Sequence, residues 1–402
     1  MDVPTRRHFL AGLAATASAA LLSPVKAVAA ATKPVRISEI RLFPIRIPIP
    51  KQEEEAGKIA SYIIARVDTD VGVRGYSFAG PNLKLLDSAI RPALLGKDLF
   101  AMEQHLMAGL DRWDGFEHAL WDAIGKIAGQ PVSRLLGGER KSLKLYLTTV
   151  WRGNPDQSHV SYDEQAEMAV KFKNAGFKGI KIRAWRPNPL DDVEACRVIR
   201  AAVGPDFAIR FDRTAHRPTE VGQKVWDYET ALRVARGLEK HNAYWLEEPL
   251  GRDDFAGCAR LAREVDIPIT GGEEFLGLAP FREALVNRSY DILNPESRRS
   301  GGIFMCCKIA WMAQAFHVPC VLHGTMGLRL HGCLHANAAI GSEWQELVYV
   351  TPPLLPEDLW NPALKILKSK SVFEVQDGAI QVPQGPGLGL DIDEEALERY
   401  RV

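Results

Sequence analysis

No imbalance of sign marks this 402-residue chain: Lys+Arg and Asp+Glu are both 50, so the formal net charge is zero. Without a cationic or acidic surplus, neither a nucleic acid nor a membrane surface is an expected partner, and a small molecule is. Beyond the first ~30 residues there is no run of ~18 strongly apolar residues, so no spanning helix is expected. Cysteine is scarce. The six that occur (Cys196, Cys258, Cys306, Cys307, Cys320, Cys333) include no C-x-x-C pair, two are adjacent, and all sit in apolar context. They read as reduced, buried small hydrophobes rather than a disulfide or zinc framework. No glycine-rich phosphate loop follows an early strand, which counts against an open doubly wound sheet.

What is present is ordinary globular material, 46% apolar and 25% charged, enough for one large domain and a smaller one. The leader is separate. Thr5-Arg6-Arg7-His8-Phe9-Leu10, a weakly apolar stretch from Ala11 to Leu22, and Ala27-Val28-Ala29-Ala30-Ala31 with A-x-A options resemble a twin-arginine export signal. Residues 1–31 are therefore expected to be a signal and the protein periplasmic.

From Val35 to about Tyr76 the pattern is strand-like; helical periodicity follows from about Leu83 to Leu136 and ends at Gly137-Gly138. This predicts an α+β unit over 32–141, with the polar segment Lys51–Lys58 as a flap. Over 142–354, eight short apolar runs alternate with amphipathic segments: Leu143–Thr149, Gly179–Arg183, Ala208–Asp212, Tyr244–Glu247, Ile267–Gly271, Ile292–Pro295, Cys320–Leu322 and Glu346–Val350. Helices are predicted between them, for example over Asp163–Ala175, Asp191–Val203 and Tyr228–Lys240. The fold class is α/β, a (β/α)8 barrel. The segment 355–402 reads as loops and a short hairpin, Phe373–Val375 with Ala379–Val382, returning to the N-terminal unit.

Barrel sites form at the C-terminal ends of the strands. Asp212, Glu247 and Glu273 end three successive apolar runs, roughly 25–35 residues apart, the length of one strand-plus-helix repeat. Three oxygen ligands with no thiolate or imidazole among them favour Mg2+ over Zn2+. Lys181 and Arg183 share one face of their strand and would grip a carboxylate. Glu296 and His323 end adjacent runs and suggest a carboxylate-oriented imidazole. Glu346 would complete the ring from the eighth strand. Trp151, Arg213 and His216 are candidate substrate contacts. His331 and His335, four apart within a predicted helix, read as core rather than as a metal pair.

The chain resembles the enolase superfamily, mandelate racemase subgroup, across essentially its mature length. The resemblance is carried by Leu120-Trp121-Asp122-Ala123-Ile124-Gly125-Lys126, Pro131 with Leu135-Leu136-Gly137-Gly138, Gly179-Ile180-Lys181-Ile182-Arg183 and Trp245-Leu246-Glu247-Glu248-Pro249. Gly272-Glu273, Asn294-Pro295-Glu296 with Gly301-Gly302, and His323 complete the set. It implies Asp212, Glu247 and Glu273 as Mg2+ ligands, Lys181 near the substrate carboxylate, His323 as general base, Glu296 as its partner and Glu346 as a hydrogen-bonding electrophile. It also implies that the N-terminal unit is a capping domain, that Lys51–Lys58 is a specificity loop and that the protein is a homo-oligomer.

Three residues depart from the pattern. Arg183 replaces the second lysine of a Lys-x-Lys pair and cannot be a base, since guanidinium keeps its proton. Glu296 stands where Asp is usual, and Arg213 follows Asp212 where small polar residues are commoner. With a base on one face only, the expected reaction is dehydration of an acid sugar. Cycloisomerisation, racemisation or epimerisation, and a non-catalytic sugar-acid binder are the alternatives.

Overall fold

Alternating apolar residues from Ile37 onward form the edge of a three-stranded antiparallel sheet, β1 (Ile37–Arg46), β2 (Ser61–Thr69) and β3 (Arg74–Ser77). In a computed structural model the described residues are 33–51, 54, 60–149, 159–213, 225–325, 327–349, 361–369 and 373–402. The helical stretch expected over Leu83–Leu136 is broken into short pieces. Pro92 and Pro131 remove backbone donors, and Gly109 and Gly115 adopt positive φ. Its one long helix is α1 (Glu117–Ala128).

Two carboxylates on α1 explain the motif it carries. Asp122 is fully buried and accepts from the N–H groups of Tyr76 (2.9 Å) and Leu388 (2.8 Å) and from Lys126 Nζ (2.6 Å), joining sheet, helix and C-terminal segment. Glu117 accepts from the N–H groups of Ile303 (2.8 Å) and Phe304 (2.9 Å), the unsatisfied donors at the start of a barrel helix. A Cβ on Gly302 would lie 2.6 Å from Glu117 Cδ, and one on Gly75 would lie 2.1 Å from Ala119 O. Only glycine permits these approaches.

The barrel follows in chain order: β4 (Ser142–Thr149), α2 (Tyr162–Asn174), β5 (Gly179–Arg183), α3 (Leu190–Val203), β6 (Ala208–Asp212), α4 (Tyr228–Lys240), β7 (Trp245–Glu247) and α5 (Phe255–Glu264). Next come β8 (Ile269–Gly271), α6 (Leu278–Asn287), β9 (Ile292–Leu293), α7 (Ile303–Gln314), α8 (Leu330–Ala339) and β10 (Trp344–Tyr349). Successive strands from β4 to β9 pair in parallel, and β10 pairs in parallel with β4. Strand β6 is buried throughout, as expected of a parallel strand covered by helices. Helix α2 starts with the capping box Ser161/Glu164, and α4 buries Ala231, Leu232, Val234, Ala235 and Leu238 at helical spacing.

Two elements differ from expectation. The seventh strand shrinks to a bridge between Leu293 and Cys320. On its far side, side chains take the N–H groups that a strand would offer β10: Asn337 Oδ1 accepts from Leu322 (3.0 Å) and Glu346 Oε2 from Gly324 (2.9 Å). The C-terminal hairpin, β11 (Val375–Gln376) and β12 (Ala379–Gln381), joins the barrel rather than the N-terminal sheet, since β12 pairs antiparallel with the start of β4. Residues further on reach the sheet: after α9 (Glu394–Arg399), Arg46 donates to Tyr400 O (2.9 Å) and Val402 to Pro44 O (3.0 Å).

His331 and His335 on α8 are core residues, buried together with His118 of α1; the His118 and His331 rings lie 5.4 Å apart. Burial holds His331 and His335 down at about 4 and His118 well below its ordinary value, so all three are neutral at pH 7. A depressed imidazole favours the folded state fully above its unfolded value near 6.5, and that contribution is lost as pH falls through the folded value. Stability should therefore drop by a few kcal/mol between about pH 6.5 and 4. Urea unfolding across that range should show His331→Phe losing less than wild type; identical acid slopes would remove the imidazoles as the cause.

Candidate active site

Register brings the acids together. Asp212 lies directly across from Glu247, and Arg183 across from Asp212, at the C-terminal ends of β5, β6 and β7. Glu273 follows β8 after Gly272, whose φ of +112° turns the chain there. All three carboxylates are buried, and one oxygen from each lies within 4.8 Å of the others. Octahedral Mg2+ holds oxygens at ~2.1 Å, so opposed ligands stand ~4.2 Å apart, and the cluster is of the right size and donor type. Burial and the neighbouring Asp212 push Glu247 upward, the behaviour of carboxylates crowded without enough positive charge between them.

Two cations face these acids. Lys181 Nζ contacts Glu346 (2.8 Å), Glu247 (2.9 Å) and Asp212 (3.2 Å); burial alone would lower it, but the three carboxylates outweigh burial and hold the ammonium protonated. Arg183 Nη1 bonds Asp212 Oδ2, and its guanidinium lies 5.4 Å from the Trp185 ring.

His323 Nε2 lies 2.9 Å from Glu273 Oε2, and Nδ1 is buried without a hydrogen-bond partner among the described residues. Burial pulls this imidazole down, but Glu273 and Glu346 outweigh it and raise it to about 9. The expected hydrogen bond from His323 to Glu296 is absent. Glu296 lies one strand away and instead accepts from Arg298 N–H (3.0 Å), with Arg298 Nε at 3.5 Å and Arg299 Nε at 3.9 Å. Burial raises this carboxyl despite Arg298, and its Oε2, like His323 Nδ1, is buried without a hydrogen-bond partner among the described residues.

Glu346 takes its place in the ring, and its neighbours set its charge. An electrophile that donates a hydrogen bond needs a proton. Burial raises this carboxyl, but Lys181, His323 and the Gly324 N–H outweigh burial and bring it to about 2. It is a carboxylate that accepts, from Thr148 Oγ1, from Gly324 N–H (2.9 Å) and loosely from Tyr146 OH (3.4 Å). Arg213 is buried with its guanidinium 5.1 Å from the Trp226 ring. Trp151, His216 and most of the Lys51–Lys58 segment lie outside the described residues.

Sequence reasoning missed Arg252. Its Nε bonds Glu248 (2.7 Å) and its Nη2 bonds Glu273 (2.8 Å), so it fixes one proposed metal ligand from outside the cluster. Glu248 turns inward because it adopts φ +45°. The i,i+4 spacing of Glu248 and Arg252 was the available signal.

Comparison with known proteins supports the fold. Residues 163–396 match the family described as enolase C-terminal domain-like. The chain is 33% identical over 288 residues to arabinonate dehydratase of Saccharolobus solfataricus, covering 71% of each protein. It is 28% identical to L-Ala-D/L-Glu epimerase of Bacillus subtilis, over 89% of this chain and 97% of that protein. The structure of D-glucarate dehydratase from Agrobacterium tumefaciens complexed with magnesium superposes with a TM-score of 0.77 at 28% identity, over 91% of this chain and 99% of that one.

Proposed function

Since this chain belongs to the enolase C-terminal domain-like family, we propose that it removes the proton alpha to the carboxylate of an acid sugar and expels the beta hydroxyl as water, leaving a 2-keto-3-deoxy acid. The observation that carries this reading is the convergence of Asp212, Glu247 and Glu273 within 4.8 Å, with His323 against Glu273.

Asp212, Glu247 and Glu273 would hold Mg2+. When bound, the ion would supply positive charge to stabilise an enediolate. Lys181 and Arg183, fixed in charge, sit beside these carboxylates and orient an incoming substrate carboxylate. His323 takes the alpha proton; its upward pull from Glu273 weakens when that carboxylate is engaged as a ligand. The same imidazolium then protonates the departing beta hydroxyl.

Elimination is favoured over two-base racemisation by the state of the opposite face. Arg183 keeps its proton and cannot serve as the second base, and Lys181 keeps a carboxylate partner in Glu346 at 2.8 Å even where Asp212 and Glu247 are engaged as ligands. Arabinonate, galactonate and gluconate dehydratases among the relatives support an acid sugar; epimerase and cycloisomerase relatives keep isomerisation as the second reading. The Arg6-Arg7 leader supports export as part of the proposal.

The test is a library of acid sugars incubated with the protein and Mg2+, assayed for 2-keto-3-deoxy product. At least one member should give product that EDTA abolishes. Alpha-proton exchange in deuterium oxide without product would move the assignment to an isomerase. Neither product nor exchange across the library would sink it.

A further inference from the structure

Beneath the rim lies a second layer of side chains. Tyr146, Arg210, Trp245 and Trp344 each precede a rim residue (Thr148, Asp212, Glu247, Glu346) by two positions on β4, β6, β7 and β10, so each shares that residue's face of the strand. Arg210 is fully buried, and none of its three guanidinium nitrogens has a hydrogen-bond partner among the described residues. It is enclosed by the rings of Tyr146 (4.1 Å), Trp344 (4.2 Å), Tyr244 (4.3 Å) and Trp245 (4.5 Å).

A buried guanidinium without a counter-ion is normally unfavourable, and packed hydrophobic side chains commonly replace buried charges at no loss of stability. Four aromatic faces offset part of the penalty. They also bring the charge into contact with the site: the Tyr146 ring covers Arg210 while its hydroxyl lies against Glu346 Oε2. In the rim layer, Lys181 and Arg183 face the four carboxylates Asp212, Glu247, Glu273 and Glu346. A divalent cation would bring that layer close to neutrality, and an enediolate would then add negative charge that Arg210 is placed to favour.

We propose that Arg210 is a positioning residue: a fixed positive charge in the second layer that makes the rim above it more receptive to anions and less receptive to divalent cations. The proposal draws on the preceding functional reading only for the identity of the anion. Two residues along a strand span ~6.8 Å, and at that distance a unit charge in an effective dielectric of ~20 changes binding by at least about tenfold.

The test measures Mg2+ binding by calorimetry, then oxalate binding to the Mg2+-loaded protein, oxalate serving as a planar dianion. Arg210→Met should tighten Mg2+ and weaken oxalate, each by about tenfold or more, while Arg210→Lys stays near wild type in both. A residue needed only for packing would weaken both together, and that outcome, or no change in either, overturns the proposal. So does Arg210→Lys behaving like Arg210→Met. Arg210→Gln gives the same comparison should the methionine variant not fold; failure of both neutral variants with the lysine variant intact makes the charge a keystone of the fold and also overturns the proposal. If wild type binds no Mg2+, the functional reading fails, and oxalate binding alone decides on Arg210: equal binding by wild type and Arg210→Met overturns it.

Discussion

Replacing Glu247 with Gln should abolish Mg2+ binding and reduce turnover by at least on the order of 10³-fold, about 4 kcal/mol of transition-state stabilisation. Glu247 is the middle member of the acid cluster, paired in register with Asp212 and bonded to Lys181. Glutamine keeps its size and one carbonyl oxygen but removes the charge. Lys181 would then answer only to Asp212 and Glu346, so the cluster loses a ligand while keeping a cation. Stability should hold or rise, because burial and Asp212 already press against ionisation of this carboxyl. A folded E247Q protein that still binds Mg2+ with wild-type affinity would disprove the assignment of the metal cluster.

Removing the proposed base separates proton transfer from metal binding. His323→Asn should lower alpha-proton exchange in deuterium oxide by about 10³-fold, within the range that a positioned acid or base supplies. Mg2+ binding should survive, since the three carboxylates are untouched and Glu273 keeps Arg252 at 2.8 Å. Exchange persisting at the wild-type rate in H323N would assign the proton transfer to another group.

The barrel and the acid cluster were legible because each depends on local pattern. Asp212, Glu247 and Glu273 each close an apolar run, and strand period fixes which face they share. The charge states of the site were not legible. Glu346 could be placed on its strand, but that it accepts rather than donates follows from Lys181, 165 positions earlier in the chain and 2.8 Å away. Glu296 was placed correctly beside the His323 strand, but which of its oxygens is left for the imidazole depends on the loop, where Arg298 N–H takes only Oε1. Arg252 was missed because the positive φ at Glu248 decides which way that pair points. The hairpin was identified but sent to the wrong sheet, since nothing within Val375–Gln381 encodes the free edge of β4 that it covers.

Asp122 has a bearing on how the molecule assembles. Its carboxylate collects one N–H from 46 residues upstream and another from 266 residues downstream. The second contact closes a loop spanning most of the chain, and such distant pairings form late because their chain entropy is lost before any contact compensates. During synthesis α1 must therefore wait, with a buried-type acid still exposed, until nearly the whole barrel has been made. The N-terminal sheet is translated before the barrel but completed after it, so a slowed ribosome would leave its surfaces exposed to misassembly.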